Sequence, residues 1–541
     1  MKLPEAFTPK LVTVFREGYR GADLRADAIA GLTVAIVAVP LAMALGIASG
    51  ASPREGLVTA IIAGFLISAL GGSRVQIGGP TGAFVVIVAG VIAAHGFSGL
   101  ILATIMAGVI LIVAGYSGVG RLMRYVPMPV VTGFTAGIAV IIASSQIGDF
   151  LGLTTGPVPA DFIDKWGAYA GSAATLNWMA LAVGAASLGV IILLKGVAPK
   201  WPGYLMAILT ATAAVAALRL PVETVGDRFN SMATGVPTLL LPEFSLPLLR
   251  EVVPSAFVIA FLAGIEALLS ATVADGMTGR RHRSGQELVG MGVANIASGF
   301  FGGLPATGAI ARTATNIRAG GKSPMAGMFH ALFVLLFTVL AGHWLALVPM
   351  SALAAVLLMV AWGMSEFDRF VALVKTDAGE RALLILTFLL TVFVDLTVAI
   401  GVGVTLAALL FMMRMSETAG LVAMNAEEEP ELRQQLPAGV EVFRFTGPIF
   451  FGVASEMLDA LRRSGQSPRA IVLRMEEVPY VDATGANALA TFTRQAKGAG
   501  TDVWLAGLKE QPMEFLSKFE PRFAGAKRAS SWAAALKRLG N

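Results

Sequence analysis

The chain has 541 residues, of which 56% are hydrophobic and only 14% charged; soluble proteins carry about 25% charged residues, so this is a polytopic membrane protein. It holds no cysteine and four histidines without ligand spacing, which excludes disulfides, thiol chemistry and thiolate metal sites and leaves no structural metal or cofactor to expect. The formal net charge of +5 comes from scattered loop residues, so no nucleic-acid partner is expected.

Residues 1–26 are polar and basic, with Lys2, Lys10, Arg16, Arg20 and Arg25. They lack a short apolar core and a small-residue cleavage site, so they read as a cytoplasmic segment and not as a cleavable signal. Apolar runs long enough to cross a bilayer, roughly 17–25 residues, then recur through the transport domain, residues 27–416. Turn signals divide them into spans at 28–48, 54–71, 81–94, 99–116, 128–149, 177–195, 201–219, 252–274, 287–302, 310–320, 325–346, 350–364, 379–395 and 396–414. These are fourteen spans, seven in a first repeat of about 27–220 and seven in a second of about 250–416. The spans at 81–94 and 310–320 are too short to cross alone.

Both short spans follow the same phrase. Gly78-Gly79-Pro80-Thr81-Gly82-Ala83 precedes the third span and Gly303-Leu304-Pro305-Ala306-Thr307-Gly308-Ala309 the tenth, with the triplet Thr-Gly-Ala repeated 226 positions apart. Val126-Pro127-Met128 opens the fifth span and Val348-Pro349-Met350 the twelfth, at an offset of 222. An odd number of spans per repeat turns the second copy upside down, giving an inverted repeat. Loop charges agree with the positive-inside rule if the N-terminus is cytoplasmic. The inner loops then carry Arg121 and Arg124, Lys195 and Lys200, Arg280-Arg281-His282-Arg283, Lys322, and Arg369 and Lys375. The outer loop at 150–176 holds Asp161, Asp164 and Lys165.

Irregular backbone inside a membrane survives only where protein or a cavity satisfies it. Inversion brings the N-termini of the two half-helices towards one point near the midplane, where free N–H groups and dipole ends make an anion site. Small residues also serve helix packing, but doubling beside two short spans favours a site. The anion-binding candidates are Thr81, Gly82 and Ala83 of one copy and Gly308, Ala309, Ile310, Ala311 and Arg312 of the other. Thr81, Thr307 and Thr313 offer hydroxyls to the ligand or to helix caps.

Glu266 lies mid-span, where a charge costs roughly 2.5–3.5 kcal/mol on insertion scales. Ser270 is four residues further on, on the same helix face. Carboxylate and hydroxyl suit Na⁺, with backbone carbonyls completing the shell, while a carboxylate alone suits a proton relay. Arg312 either adds positive charge to the anion site or pairs with Glu266. Asp395 reads as a solvated carboxylate at a loop end.

Composition shifts after Arg414. Residues 417–436, with Glu427-Glu428-Glu429-Pro430-Glu431, read as an acidic linker, and 437–541 as a small α/β domain. Residues 440–445, 470–475 and 501–506 alternate like strands, with helices expected at 452–464 and 485–498. Val481-Asp482-Ala483-Thr484-Gly485 sits at a strand-to-helix turn, with Asp482 and Thr484 as candidate caps.

The chain resembles a bacterial member of the sulfate permease (SulP) anion-transporter family. The resemblance rests on Gly79-Pro80-Thr81-Gly82, Ala311-Arg312-Thr313-Ala314-Thr315-Asn316, Ala319-Gly320-Gly321-Lys322-Ser323-Pro324, and Val481-Asp482-Ala483-Thr484-Gly485 in a segment similar to that family's STAS domain. It implies an inner-membrane protein with a mobile core of spans 1–4 and 8–11, a gate of spans 5–7 and 12–14, elevator-like transport, homodimers and a cytoplasmic STAS domain open to protein partners. In the family's sodium-bicarbonate branch an acidic residue and a hydroxyl bind Na⁺ together with the loop before helix 10. The matching positions are Glu266, Ser270, Gly308, Ala309 and Ile310. That branch has Asp and Thr where Glu266 and Ser270 stand, and a hydroxyl in place of Ile310, so H⁺ stands beside Na⁺ as the coupling ion. Many members have Pro-Gln in helix 1, whereas Pro40 is followed by Leu41. STAS switches carry a phosphorylated serine where Ala483 stands.

The chain therefore reads as a secondary active transporter of small anions (sulfate, bicarbonate or a dicarboxylate) and not as an enzyme. The alternatives are a passive anion channel or an uncoupled anion exchanger. A nucleobase:proton symporter shares the architecture and the glutamate, but Arg312 and the STAS segment argue against it.

Overall fold

The computed structural model describes residues 5–118, 127–156, 158–159, 161–199, 201–229, 236–240, 245–418, 420–423, 437–450, 468–518 and 526–540. Arg121, Arg124, Lys200, the acidic run at 427–431 and the helix expected at 452–464 lie outside the described residues. The chain divides into two compact units, Met1–Val404 and Thr405–Asn541.

The first unit is helical apart from two very short strands. Its elements are α1 (Lys10–Glu17), α2 (Gly21–Ala48), α3 (Pro53–Leu70), β1 (Gly78–Gly79), a 3-10 turn (Gly82–Phe84), α4 (Val85–Ser117), α5 (Met128–Leu151), α6 (Phe162–Gly171), α7 (Trp178–Val197), α8 (Gly203–Leu218), α9 (Val225–Phe229), α10 (Leu246–Thr278), α11 (Ser284–Phe300), β2 (Thr307–Gly308), α12 (Ile310–Arg318), α13 (Met325–Ala346), α14 (Met350–Met364), α15 (Phe367–Val374) and α16 (Ala378–Phe393). Helix α17 (Leu396–Thr418) runs from this unit into the next.

Every expected span falls on helix, but among the described residues nine helices are long and apolar enough to cross a membrane. The difference from fourteen has two sources. Helices α8, α11, α12 and α16 have only 16, 17, 9 and 16 residues. The third and fourth spans are two helices that meet without a loop at a kink, where Gly96 has non-helical φ 68°, and they count as the single element α4; glycine adopts such a φ without a Cβ clash.

Local chemistry sets several of the boundaries. Ser52 caps α3, with Pro53 in the first turn and the Glu55 carboxylate accepting from the Ser52 N–H at 2.7 Å, a capping box that satisfies donors at both ends of the turn. Pro40 sits inside α2 and Pro254 inside α10, where the missing N–H breaks a helical bond.

The packing repeats itself. Helix α4 packs on α10 and α11, and α13 packs on α2 and α3. With α2 equivalent to α10, α3 to α11 and the second part of α4 to α13, these are one arrangement written twice. Helix α5 packs on α14 and α16, and α14 packs on α7, which is again one arrangement and its mate. Close approach depends on small residues. A Cβ on Gly108 would stand 2.5 Å from the Gly292 carbonyl oxygen, and a Cβ on Gly292 would strike that of Gly108. Lipid tails are as apolar as the helix faces, so such backbone contact supplies much of the association.

The second unit contains β3 (Gly420–Ala423), β4 (Val440–Thr446), β5 (Ala470–Glu477), α18 (Ala483–Gly498), β6 (Asp502–Ala506), α19 (Glu510–Lys518), β7 (Ala526–Ala529) and α20 (Trp532–Gly540). The sheet order is β3-β4-β5-β6-β7, with β3 antiparallel to β4 and the other pairs parallel. Ile471, Leu473 and Met475 point to one face with Leu489 and Phe492 of α18. Ala470 and Val472 point to the other with Ala535 and Leu539 of α20. Burial on both faces explains the nearly continuous apolar run of β5. Asp482 caps α18, accepting from the Gly485 N–H at 2.7 Å; Thr484 instead lies within the helix.

The linker reading of 417–436 needs correction, since Gly420–Ala423 forms the edge strand β3, paired from Gly420↔Thr446 to Ala423↔Phe443. Four residues are too few to show alternation, and the pairing comes from the open edge of β4. Strand β7 was missed for the same reason: its sequence, Ala-Lys-Arg-Ala, carries no strand-forming residues.

Gly108→Ala is expected to lower the melting temperature of the purified protein, because the added methyl overpacks a backbone contact at a cost of about 1–3 kcal/mol. Gly90→Ala, where a Cβ meets nothing within 4 Å, is expected to be neutral. Scanning fluorimetry of the two variants checks the contrast.

Candidate functional site

The site begins from two stretches of backbone that cannot be left unpaired. Extended chain inside a hydrocarbon layer exposes N–H and C=O groups with no water to satisfy them. The two repeated phrases satisfy one another, since β1 and β2 pair antiparallel as Gly78↔Gly308 and Gly79↔Thr307. The Ala309 N–H extends the pairing by donating to the Ile77 carbonyl at 2.9 Å. Continued by one residue, the register sets Pro80 opposite Ala306, and these two are 226 positions apart. The paired residues lie on one side of that point, and a register that runs through a repeat-equivalent pair is what an in-plane two-fold axis requires.

The crossing is tight enough to require glycine. A Cβ on Gly308 would strike the Gln76 amide, and one on Gly79, whose φ is +150°, would strike the Arg312 guanidinium. Beyond the crossing the chain enters helix on both sides, at Gly82 and at Ile310. Neither N-cap residue, Thr81 or Ala309, makes a side-chain capping bond. The first-turn N–H groups of both half-helices therefore remain available to an anion.

The Thr81 hydroxyl, which could have capped its own helix, donates instead to Glu266 Oε2 on α10 at 2.9 Å. This bond joins the candidate coupling residue to the half-helix that begins at Gly82. Arg312 is 3% exposed. Its Nη2 donates to the Pro80 carbonyl at 2.8 Å, while Nε and Nη1 are buried with no partner. Among the described residues it has no carboxylate in ion-pair range, so the alternative of an Arg312–Glu266 pair is not realised. Gly82 and Ala83 are buried, Gly82 under Met364 of α14 and Ile142 of α5. Ile310 and Ala311 lie on the exposed flank of α12.

The other hydroxyls are engaged within the protein. Thr307 donates to the Ala263 carbonyl at 2.8 Å. Thr313 accepts from the Ile77 N–H at 3.1 Å and from the Ser270 hydroxyl at 3.3 Å. Ser270 is thus turned towards Thr313 and not towards Glu266, although its oxygen keeps lone pairs for a cation. Asp395 accepts from the N–H groups of Thr397 and Val398 at the start of α17.

Several buried polar residues around the crossing escaped sequence reading. Glu287 is fully buried and accepts from the N–H groups of Gly72 and Ser73 at 2.7 and 2.8 Å, fixing the turn that leads into β1. Its place at the start of an apolar run made it look like a boundary. The Asn316 amide donates to the Val75 carbonyl at 2.8 Å. Both amide atoms of Gln76 and both ring nitrogens of His330 are buried without partners. A polar residue in an apolar segment was the available signal for His330.

Residues 24–387 match the model of the sulfate permease family, and 431–521 that of the STAS domain. The chain is 39% identical over 505 residues to a putative sulfate transporter of Bacillus subtilis (strain 168), covering 93% of this chain and 95% of that one. It is 32% identical over 529 residues to the bicarbonate transporter BicA of a Picosynechococcus species, covering 92% of this chain and 91% of that one. Among solved structures, the transmembrane domain of a cyanobacterial bicarbonate transporter BicA matches with a TM-score of 0.64 at 30% identity, covering 70% of this chain and 98% of that one. The murine solute carrier 26 family member A9 anion transporter, in its inward-facing state, matches with a TM-score of 0.88 at 18% identity, covering 100% of this chain and 96% of that one; this is a likeness of fold.

Arg312→Met is expected to leave the melting temperature in anion-poor buffer at or above the wild-type value, because an uncompensated buried charge gives way to an apolar chain. Thermal unfolding by intrinsic fluorescence reads it. A fall of several degrees would mean that the guanidinium is compensated and structural.

Proposed function

The chain belongs to the sulfate permease family, and from this we propose that it is a secondary transporter of small anions, with sulfate, bicarbonate and dicarboxylates as the candidate substrates. The observation that carries the reading is Arg312, a buried guanidinium with two unpartnered nitrogens at the meeting point of two uncapped half-helix N-termini. A buried charge without a counter-charge is strongly unfavourable, and a bound anion supplies the missing partner. The first-turn N–H groups at Gly82, Ala83, Ile310 and Ala311 would hold its oxygens, and Arg312 would neutralise its charge. Relatives named as sulfate and bicarbonate transporters support the substrate class.

Coupling follows from Glu266. Its carboxylate hydrogen-bonds Thr81, so a charged Glu266 places a like charge beside the anion and weakens its binding. A proton or Na⁺ at Glu266 removes that repulsion, and by linkage the anion strengthens binding of the cation equally. Two mutually dependent ligands make a symporter. For Na⁺ the Ser270 oxygen and backbone carbonyls at Gly308, Ala309 and Ile310 would complete the shell; for H⁺ the carboxylate suffices. No resident cofactor is involved.

Alternating access would move α2–α4 and α10–α13 as a core against α5, α7, α8, α14, α16 and α17, in the manner of an elevator. The basic loops at 280–283, 322 and 369–375 support a cytoplasmic N-terminus and C-terminal domain in a bacterial inner-membrane protein. That domain would help to join a homodimer and offer a surface to cytoplasmic proteins.

Proteoliposomes offered sulfate, bicarbonate and fumarate under an imposed pH or Na⁺ gradient test the whole reading. Glu266→Gln is expected to abolish gradient-driven accumulation while anion exchange persists, and Arg312→Ala to raise the anion KM at least about tenfold, as loss of a hydrogen bond to a charged group does. Wild-type uptake that ignores both gradients would instead identify a channel or an uncoupled exchanger.

A further inference from the structure

A second region of the transmembrane unit has the chemistry of an anion site. A cavity of about 790 Å³ opens beside the end of α2, the middle of α4 and the ends of α5 and α14. Thr81, Glu266 and Arg312 do not line it. The two regions are neighbours along α5, where Ser145 and Gln146 face the cavity and Ile142, one turn away, seats against Gly82.

Four charged residues line the cavity: Asp149, Lys165, Glu223 and Arg228. Arg228 is held between two carboxylates, donating to Asp149 at 2.8 Å and through Nε to Glu223 at 3.0 Å. Its donors are committed to the protein. Lys165 is different. It is 7% exposed; its backbone N–H donates to the Asp161 carbonyl at 3.0 Å, but among the described residues its ammonium makes no hydrogen bond and no ion pair. The nearby Asp161 caps α6, accepting from the N–H groups of Ile163 and Asp164 at 2.9 and 3.3 Å. Burial pushes the Lys165 ammonium below the usual lysine range, and attraction from Asp161 only partly opposes this.

The position of Lys165 is built. One turn further along α6, Tyr169 donates to the Ser145 carbonyl of α5 at 3.3 Å. The loop after α6 is pinned by the Asn177 N–H to Leu151, the Asn177 amide to Pro221 and the Thr154 N–H to Thr175. A largely buried lysine on a pinned helix, its ammonium without an ion-pair partner beside a polar cavity, offers a place for an anion.

We propose that Lys165 forms an outer capture site, where a small oxyanion arriving from outside first exchanges water for the ammonium before it passes Ile142 to the crossing of the half-helices. The site rests on the anion-transport reading and on the orientation that places α6 outside. The substrate is the same oxyanion, and the ammonium raises its local concentration and on-rate at the mouth of the path.

The absence of cysteine makes the test clean, since Lys165→Cys introduces a single thiol. In proteoliposomes of defined orientation the variant is expected to raise the KM for sulfate or bicarbonate entering from the outer face about tenfold. The KM from the cytoplasmic face should be unchanged. Modification with a membrane-impermeant trimethylammonioethyl thiosulfonate, which restores positive charge, should return the outer KM towards wild type; the sulfonatoethyl reagent should not. Lys165→Arg should stay close to wild type. An unchanged outer KM, an equal change from both faces, or indifference to the sign of the attached charge would overturn the capture site. Wild-type protein that takes up none of the anions would instead overturn the transport reading itself, so the two failures are separable.

Discussion

Four residues, Gly78 and Gly79 opposite Gly308 and Thr307, tie the two halves of the transmembrane unit together where neither could stand alone. Each stretch is extended backbone that hydrocarbon would not tolerate unpaired. Because the pairing is antiparallel and its register leads to the repeat-equivalent pair Pro80 and Ala306, the two half-helices leave it in opposite senses with their N-termini adjacent. Glycine is required there by geometry, since a Cβ at Gly79 or Gly308 would displace Arg312 or Gln76. The backbone pairing therefore sets where the helix dipoles point, and the charged side chains are arranged around that point.

The halves are alike in backbone and unlike in charge. Glu266 corresponds to Pro40 in the first repeat, and Arg312 to Val86. Symmetric packing gives the common frame, and the asymmetric carboxylate and guanidinium are the charged groups on which the proposed anion binding and cation coupling rest. The Thr81–Glu266 bond crosses between repeats. Neutralising a residue of the second repeat therefore acts on a half-helix belonging to the first.

Much of this was legible in advance. The doubled Thr-Gly-Ala phrase, the short third and tenth spans and the mid-span Glu266 are signals that come from length, hydropathy and glycine content. The elements hidden from such reading share a cause. Strand β3 exists because β4 offers an open edge, and Glu287 is structural because a turn from another helix lies against it. Each depends on a neighbour distant in sequence.

Composition and periodicity by themselves determined that the chain spans a membrane, that its second half repeats the first in inverted sense, and that a small α/β domain follows. These are properties of local hydropathy and of odd-numbered repeats, which no distant contact can alter. Only the tertiary structure decided which polar groups satisfy one another. Thr307 and Thr313 look equivalent to Thr81 as hydroxyl donors, yet the first two are engaged by Ala263, Ile77 and Ser270, and Thr81 alone reaches Glu266. Arg312 and Lys165 look like any membrane arginine and any loop lysine until the fold shows that, among the described residues, neither forms an ion pair. Hydrogen-bond partnership depends on ångström-scale approach between residues as far apart as Ile77 and Thr313, 236 positions along the chain, and no pattern along the chain encodes that.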